Sequence, residues 1–112
     1  MESTDNLKSL RFDVEAQQWL QELANLLKTA GSPTRTRILY LLWIAEEVCV
    51  NDIADVLDLT TPAISQQLKK LREQDLVDNR RDAQTVYYRL NDEHQFVYHI
   101  TELFQQEEAV LS

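Results

Sequence analysis

Between Val50 and Arg89 the sequence reads as a helix, a tight turn, a second helix and a hairpin, and few folds accept that order in so short a span. Asn51 to Leu57 form a short helix that packs Ile53, Ala54, Val56 and Leu57, with Ala54 small where two helices must approach closely. Asp58 falls in the turn, and aspartate tolerates the left-handed backbone a tight turn asks for. Thr61 is the expected cap of the next helix and Pro62 opens it. Ile64, Leu68 and Leu71 then recur at helical spacing and predict the buried side. Ser65, Gln66, Lys69, Lys70 and Arg72 are left for solvent, with Gln67 near the boundary. Val77–Arg81 and Thr85–Leu90 carry β-branched and aromatic residues on either side of a polar tip, which predicts a hairpin. The fold class expected is mainly α with a small β-hairpin wing, a winged helix-turn-helix. That architecture sets its second helix into the DNA major groove.

The flanks supply the remaining helices. Ala16, Trp19, Leu20, Leu23, Leu26 and Leu27 recur at helical spacing and predict a helix over 13–29 that Gly31 ends. Ser32-Pro33 restarts the chain as a cap followed by a proline at the first helical position. Ile38, Leu39, Leu41, Leu42 and Ile44 make the next helix apolar on most sides, so it is expected at the centre of the core. Asn91 or Asp92 is expected to cap a last helix of about 20 residues striped by Phe96, Ile100, Leu103, Phe104 and Leu111. Residues 1–12 lack periodicity and are expected as a flexible arm ahead of one domain spanning 13–112. The first and last helices carry more apolar surface than a winged-helix core needs. A homodimer formed through them would place two reading helices about one DNA turn apart, matching an imperfect palindrome in double-stranded DNA.

Charge argues against nucleic acid at first sight, because the net charge of the 112 residues is −8. Its distribution answers part of that objection. Segment 60–90 holds six basic and four acidic residues, whereas 91–112 holds five acidic and no basic ones. The proposed reading helix and wing are therefore net positive, and the local field is what a phosphate meets. The polar N-terminus lacks a signal-peptide core, no apolar run is long enough to span a bilayer, and a lone cysteine cannot form an internal disulfide. These features predict a cytoplasmic protein with no membrane partner.

Several strings in order resemble the ArsR/SmtB family of bacterial repressors. They are Ala30-Gly31-Ser32-Pro33-Thr34-Arg35-Thr36-Arg37-Ile38-Leu39, Val48-Cys49-Val50-Asn51-Asp52-Ile53-Ala54, the run from Ala63 to Arg72, and Val86-Tyr87-Tyr88-Arg89-Leu90. The resemblance covers roughly residues 15–108 and implies a homodimeric repressor released from DNA by an inducer, often a metal ion.

Glutamine can make a bidentate contact with adenine, and serine or threonine can meet a base edge or a phosphate. Ser65 and Gln66, followed by Gln67, are the expected base readers. Thr60 and Thr61 near the helix N-terminus, together with Lys69, are expected at phosphates. Arg80 and Arg81 at the wing are expected in a flanking minor groove or on its phosphates.

For the inducer, the resemblance implies two kinds of metal site. A Cys-x-Cys thiolate site is not available, because Cys49-Val50-Asn51 keeps one cysteine and replaces the other. A site between the last helices of a dimer would use Asp92, His94, Gln105 and Glu108. In an antiparallel helix pair, residues whose numbers share a constant sum meet, and both pairs here centre near Ile100. Zinc or another divalent ion would suit two ligands from each chain. Gln105 departs from the pattern, since an amide oxygen is a poor zinc ligand beside an imidazole. The alternatives are the same fold with a small-molecule, redox or absent inducer, and an acidic protein-interaction module without specific DNA binding. An enzyme is not expected: there is no nucleophile–base constellation, and a single glycine leaves little room for a phosphate cradle.

Overall fold

The structure is a computed structural model that describes residues 4–111. In chain order the elements are α1 (Thr4–Glu15), α2 (Gln18–Ala30), α3 (Pro33–Ala45), β1 (Glu47–Cys49), α4 (Val50–Leu57), α5 (Thr61–Glu73), β2 (Val77–Asp82), β3 (Thr85–Leu90) and α6 (Gln95–Leu111). The mainly helical winged helix-turn-helix expected from the sequence is present. The three strands form one antiparallel sheet in the order β1-β3-β2.

The N-terminal stretch differs from expectation. The irregular arm predicted for 1–12 is helical from Thr4 onward, and the single helix predicted over 13–29 is split. Gln17 leaves the helical region (φ −90°, ψ 97°) and starts α2, while the Trp19 indole N–H donates to its side-chain oxygen at 2.9 Å. Leu7, Leu10 and Val14 do follow helical spacing on α1, yet all three are exposed.

At the end of α2 the chain obeys its caps. The Gly31 N–H closes α2 on the Leu27 carbonyl at 2.8 Å, and a Cβ there would lie only 2.9 Å from that oxygen, so the close approach asks for glycine. Ser32 caps α3, accepting from the Arg35 N–H, and Pro33 follows it. Ile38, Leu39 and Leu42 of α3 are sealed in the core, whereas Ile44 is exposed.

On α4, Ile53 and Ala54 are buried as expected, but Val56 is not: it is 64% exposed. Asp58 ends α4 in the left-handed region (φ 57°, ψ 48°), the role the sequence suggested. Thr60, not Thr61, caps α5: its hydroxyl accepts from the Ala63 N–H at 3.2 Å. The reason is one of register, since an N-cap reaches the third residue along and Ala63 lies three from Thr60.

β1 was not anticipated. Glu47–Cys49 is too short to show a strand period, and it is held by pairing with β3 in the register Glu47–Arg89, Val48–Tyr88 and Cys49–Tyr87. The hairpin pairs Val77 with Leu90 through to Asp82 with Thr85, leaving Ala83-Gln84 as a two-residue turn. α6 starts at Gln95 and runs 17 residues. Neither Asn91 nor Asp92 caps it. Asn91 instead ties the preceding loop down, donating to the Asp75 carbonyl at 2.9 Å and accepting from the Glu93 N–H.

Ile64, Leu68 and Leu71 of α5 meet Ile38, Leu39, Leu42, Ile53, Leu76 and Val77 in one core that Phe96 and Val97 close from α6. Leu68→Ala, at a fully buried position, is expected to lower unfolding stability by about 2–5 kcal/mol, read from urea denaturation.

Candidate nucleic-acid interface

The interface is built on the side of α5 that the core does not take. With Ile64, Leu68 and Leu71 inward, Ser65, Gln66, Lys69 and Lys70 are exposed in a strip that continues to Arg72. At its N-terminal end the Thr61 hydroxyl donates to the Asn51 side-chain oxygen at 3.2 Å, linking α5 to the start of α4. Backbone N–H groups and the helix dipole there favour an anion. A shallow groove of about 240 Å³ runs between this end of α5 and the wing, lined by Asn51, Thr61, Ser65, Gln84, Thr85 and Val86, among others.

Gln67 does not join the strip. It is half-buried, and its side-chain oxygen accepts from an Arg35 guanidinium nitrogen at 2.7 Å, while the Arg35 Nε–H donates to the Thr29 carbonyl at 2.6 Å. One side chain thus stitches the end of α2, the start of α3 and the middle of α5. A bidentate adenine contact needs both the oxygen and the NH₂ of an amide. Gln67 has its oxygen engaged, so Gln66 is the glutamine placed to make such a contact. Arg35 was missed in the sequence because nothing local links it to a residue 32 positions away.

The two wing arginines also separate. Alternation along β2 puts them on opposite faces of the sheet. Arg81 is exposed and forms no ion pair among the described residues. Arg80 is engaged: its Nε and one terminal nitrogen donate to the two Glu47 carboxylate oxygens at 2.9 and 2.6 Å, and its guanidinium carbon sits 4.6 Å from the Tyr87 ring centroid. The Arg80 hydrogen bond, reinforced by the charges of Arg80 and Arg89 and opposed by partial desolvation, holds the Glu47 carboxyl below its ordinary range. The same hydrogen bond raises Arg80. Ala83, at the tip, holds a left-handed φ of 56° without being glycine.

Of the four residues expected at a metal, Asp92 and His94 precede α6, and Gln105 and Glu108 lie on its C-terminal half. His94 and Gln105 stand roughly 16 Å apart along a helix axis, so only a second copy could bring them together. His94 caps α6, its Nδ1 accepting from the Phe96 N–H at 3.1 Å. A neutral imidazole that accepts at Nδ1 carries its proton on Nε2, so neither nitrogen offers a lone pair. With Gln105 supplying only a neutral amide, the set as built does not fit zinc. Among the described residues, no group of three or more His, Cys, Asp or Glu side chains is placed to hold a metal.

A recognition helix with a polar outer strip, flanked by a hairpin wing, defines the class: a winged helix-turn-helix of the kind DNA-binding regulators use. The family model described as "Bacterial regulatory protein, arsR family" matches residues 32–79. A transcriptional repressor SmtB homolog of Synechocystis is 32% identical over 90 residues, covering 80% of this chain and 67% of that protein. A cadmium resistance transcriptional regulatory protein CadC homolog of Staphylococcus aureus is 33% identical over 79 residues, covering 70% of this chain but 65% of its own length, just under two thirds. Among solved structures, HlyU from Vibrio cholerae superimposes with a TM-score of 0.72 at 31% identity, over 80% of this chain and 96% of that one. The chain belongs to the arsR family of bacterial regulatory proteins.

His94→Ala is expected to lower stability by about 0.5–2 kcal/mol in the presence of chelator, while His94→Ser, which keeps a capping oxygen, restores most of it in the same thermal melts. A residue whose only work was to ligate metal would leave both melts unchanged. On the DNA sequence that the protein selects from a randomised duplex pool, Gln66→Ala is expected to weaken binding by about 1–3 kcal/mol and to relax the preference at one base pair.

Proposed function

We propose that this protein is a homodimeric transcriptional repressor that binds an imperfect palindrome in duplex DNA. α5 would lie in each major groove and the wing beside it. The observation that carries this reading is the division of α5 into a sealed apolar face and an exposed strip of Ser65, Gln66 and Lys69. That strip lies within the segment 60–90, where basic residues outnumber acidic ones. In this reading Thr60 and Thr61 meet phosphate at the helix start, and Arg81 reaches a flanking groove or its backbone. Gln67 acts from behind, through Arg35, by holding α5 in place.

Dimerisation rests on surface that one copy leaves uncovered. Trp19 and Leu27 on α2 and Leu103 on α6 are each more than half exposed. Leu23, Leu27, Phe96, Ile100 and Leu103 line an apolar groove of about 390 Å³ between these helices and α3. Apolar patches of this kind mark interaction sites. The Cα radius of gyration is 18.0 Å, whereas a compact chain of this length would have about 13 Å. A second copy laid against α2 and α6 would cover the groove.

An inducer would act by biasing the separation of the two recognition helices, a coupling between two binding free energies. The cadmium-resistance relative makes a metal inducer the reading to test first. The His94 cap and Gln105 speak for an inducer of another class, or for none. No helix among the described residues is long and apolar enough to cross a membrane.

Light scattering after size exclusion is expected to give a dimer mass, and Leu103→Glu a monomer. Fluorescence anisotropy on duplex DNA from immediately upstream of the gene is expected to give tight, salt-sensitive binding in chelator. Release by added zinc, cobalt or nickel would assign a metal inducer. Indifference to them would leave the repressor and remove the metal. Failure to bind any duplex specifically would favour the acidic protein-interaction reading instead.

A further inference from the structure

We propose that Glu47 is a built-in competitor for DNA phosphate, holding Arg80 off the duplex until a phosphate displaces it. The inference rests on the DNA-binding reading above and concerns a residue of β1 that lies outside the recognition helix and wing.

Three observations support it. The Arg80–Glu47 contact is bidentate, the fork geometry that a guanidinium also offers to a phosphate. A carboxylate in that position occupies the donors a phosphate would use. The pair is also open to solvent, with Arg80 52% and Glu47 29% exposed, so its net strength is modest and a polyanion can compete for it. Finally, Glu47 would not be stranded by the exchange. Arg89 stands directly across from it in the β1–β3 register and already contributes to its electrostatic environment. The guanidinium itself keeps the Tyr87 ring beside it, on the same face of the sheet, as a surface to pivot on.

The exchange makes the two wing arginines unequal. Arg81 has no internal partner among the described residues and is available at every encounter, whereas Arg80 gives up an ion pair for each phosphate contact it makes. Its electrostatic gain on DNA is largely cancelled. The wing therefore contributes less to sequence-independent affinity than its two charges suggest, and discrimination is left to α5.

The test is a mutant cycle of the full-length protein on a mixed-sequence duplex, with affinity measured across a range of salt. Glu47→Gln is expected to bind about three- to tenfold more tightly at low salt, with the gain shrinking as salt screens the added attraction. Arg80→Ala alone is expected to change binding less than twofold. In the Arg80→Ala background, Glu47→Gln should lose most of its effect at every salt concentration, which separates a freed arginine from the mere loss of a negative charge. Circular dichroism of each variant confirms that it is folded. Glu47→Gln binding that is unchanged or weaker would overturn the proposal, showing the pair to be a strut that holds the wing. A Glu47→Gln gain that persists without Arg80 would overturn it too. If the unmodified protein and every variant fail to bind any duplex, the DNA reading falls, and this inference with it.

Discussion

Sealing one face of α5 against α3 and α4 is the constraint on which the rest of the molecule depends. Ile64, Leu68 and Leu71 have no measurable exposure, and they meet Ile38, Leu39, Leu42 and Ile53 at the same depth. Close-packed side chains of this kind leave a helix little freedom to roll about its axis. Rolling α5 by one residue would bring Gln67 outward and drive Ser65 or Lys69 toward the core, exchanging buried leucine for polar atoms without partners. The identity of the outer strip is therefore a consequence of packing. Short-range devices add to it: the Thr60 cap sets where the helix begins, and Asp58 in the left-handed region sets the angle at which α4 delivers it.

Around that core, three polar connections position what the apolar contacts cannot. Arg35 ties α5 to the end of α2, the helix whose exposed leucines would face a second copy. Thr61 and Asn51 tie its N-terminus to α4. Glu47 ties the wing to β1 through Arg80. Each is partly exposed and individually weak, so each is a place where a bound ligand can shift the geometry without unfolding the domain. The Arg35 link joins the end of α2, on the side proposed for dimerisation, to α5, which carries the surface proposed for DNA.

Much of the fold was legible because its signals are local. The period of Ile64, Leu68 and Leu71, the Ser32-Pro33 cap, the αL aspartate and the β-branched hairpin each act within a few residues of themselves. What was misread was too short to show a period, too sparsely patterned, or hidden by stronger signals beside it. β1 has three residues and exists because β3 pairs with it. α1 was missed because its apolar stripe of Leu7, Leu10 and Val14 is sparse among charges, and because Gln17 breaks a periodicity that seemed to begin only at Ala16. His94 as the cap of α6 was hidden by two better-known capping residues just before it.

The sequence by itself determined that the chain would be a winged helix-turn-helix, which side of α5 would face outward, and where basic residues would outnumber acidic ones, since these follow from periodicity and from the order of residues along the chain. Only the tertiary structure decided which of two adjacent glutamines keeps both hydrogen-bonding groups free and which of two adjacent arginines is already engaged. The reason is common to both cases. Neighbours in sequence look alike to any local rule, and they are told apart by partners such as Arg35 and Glu47, which lie 32 and 33 residues away and become neighbours only when the core closes.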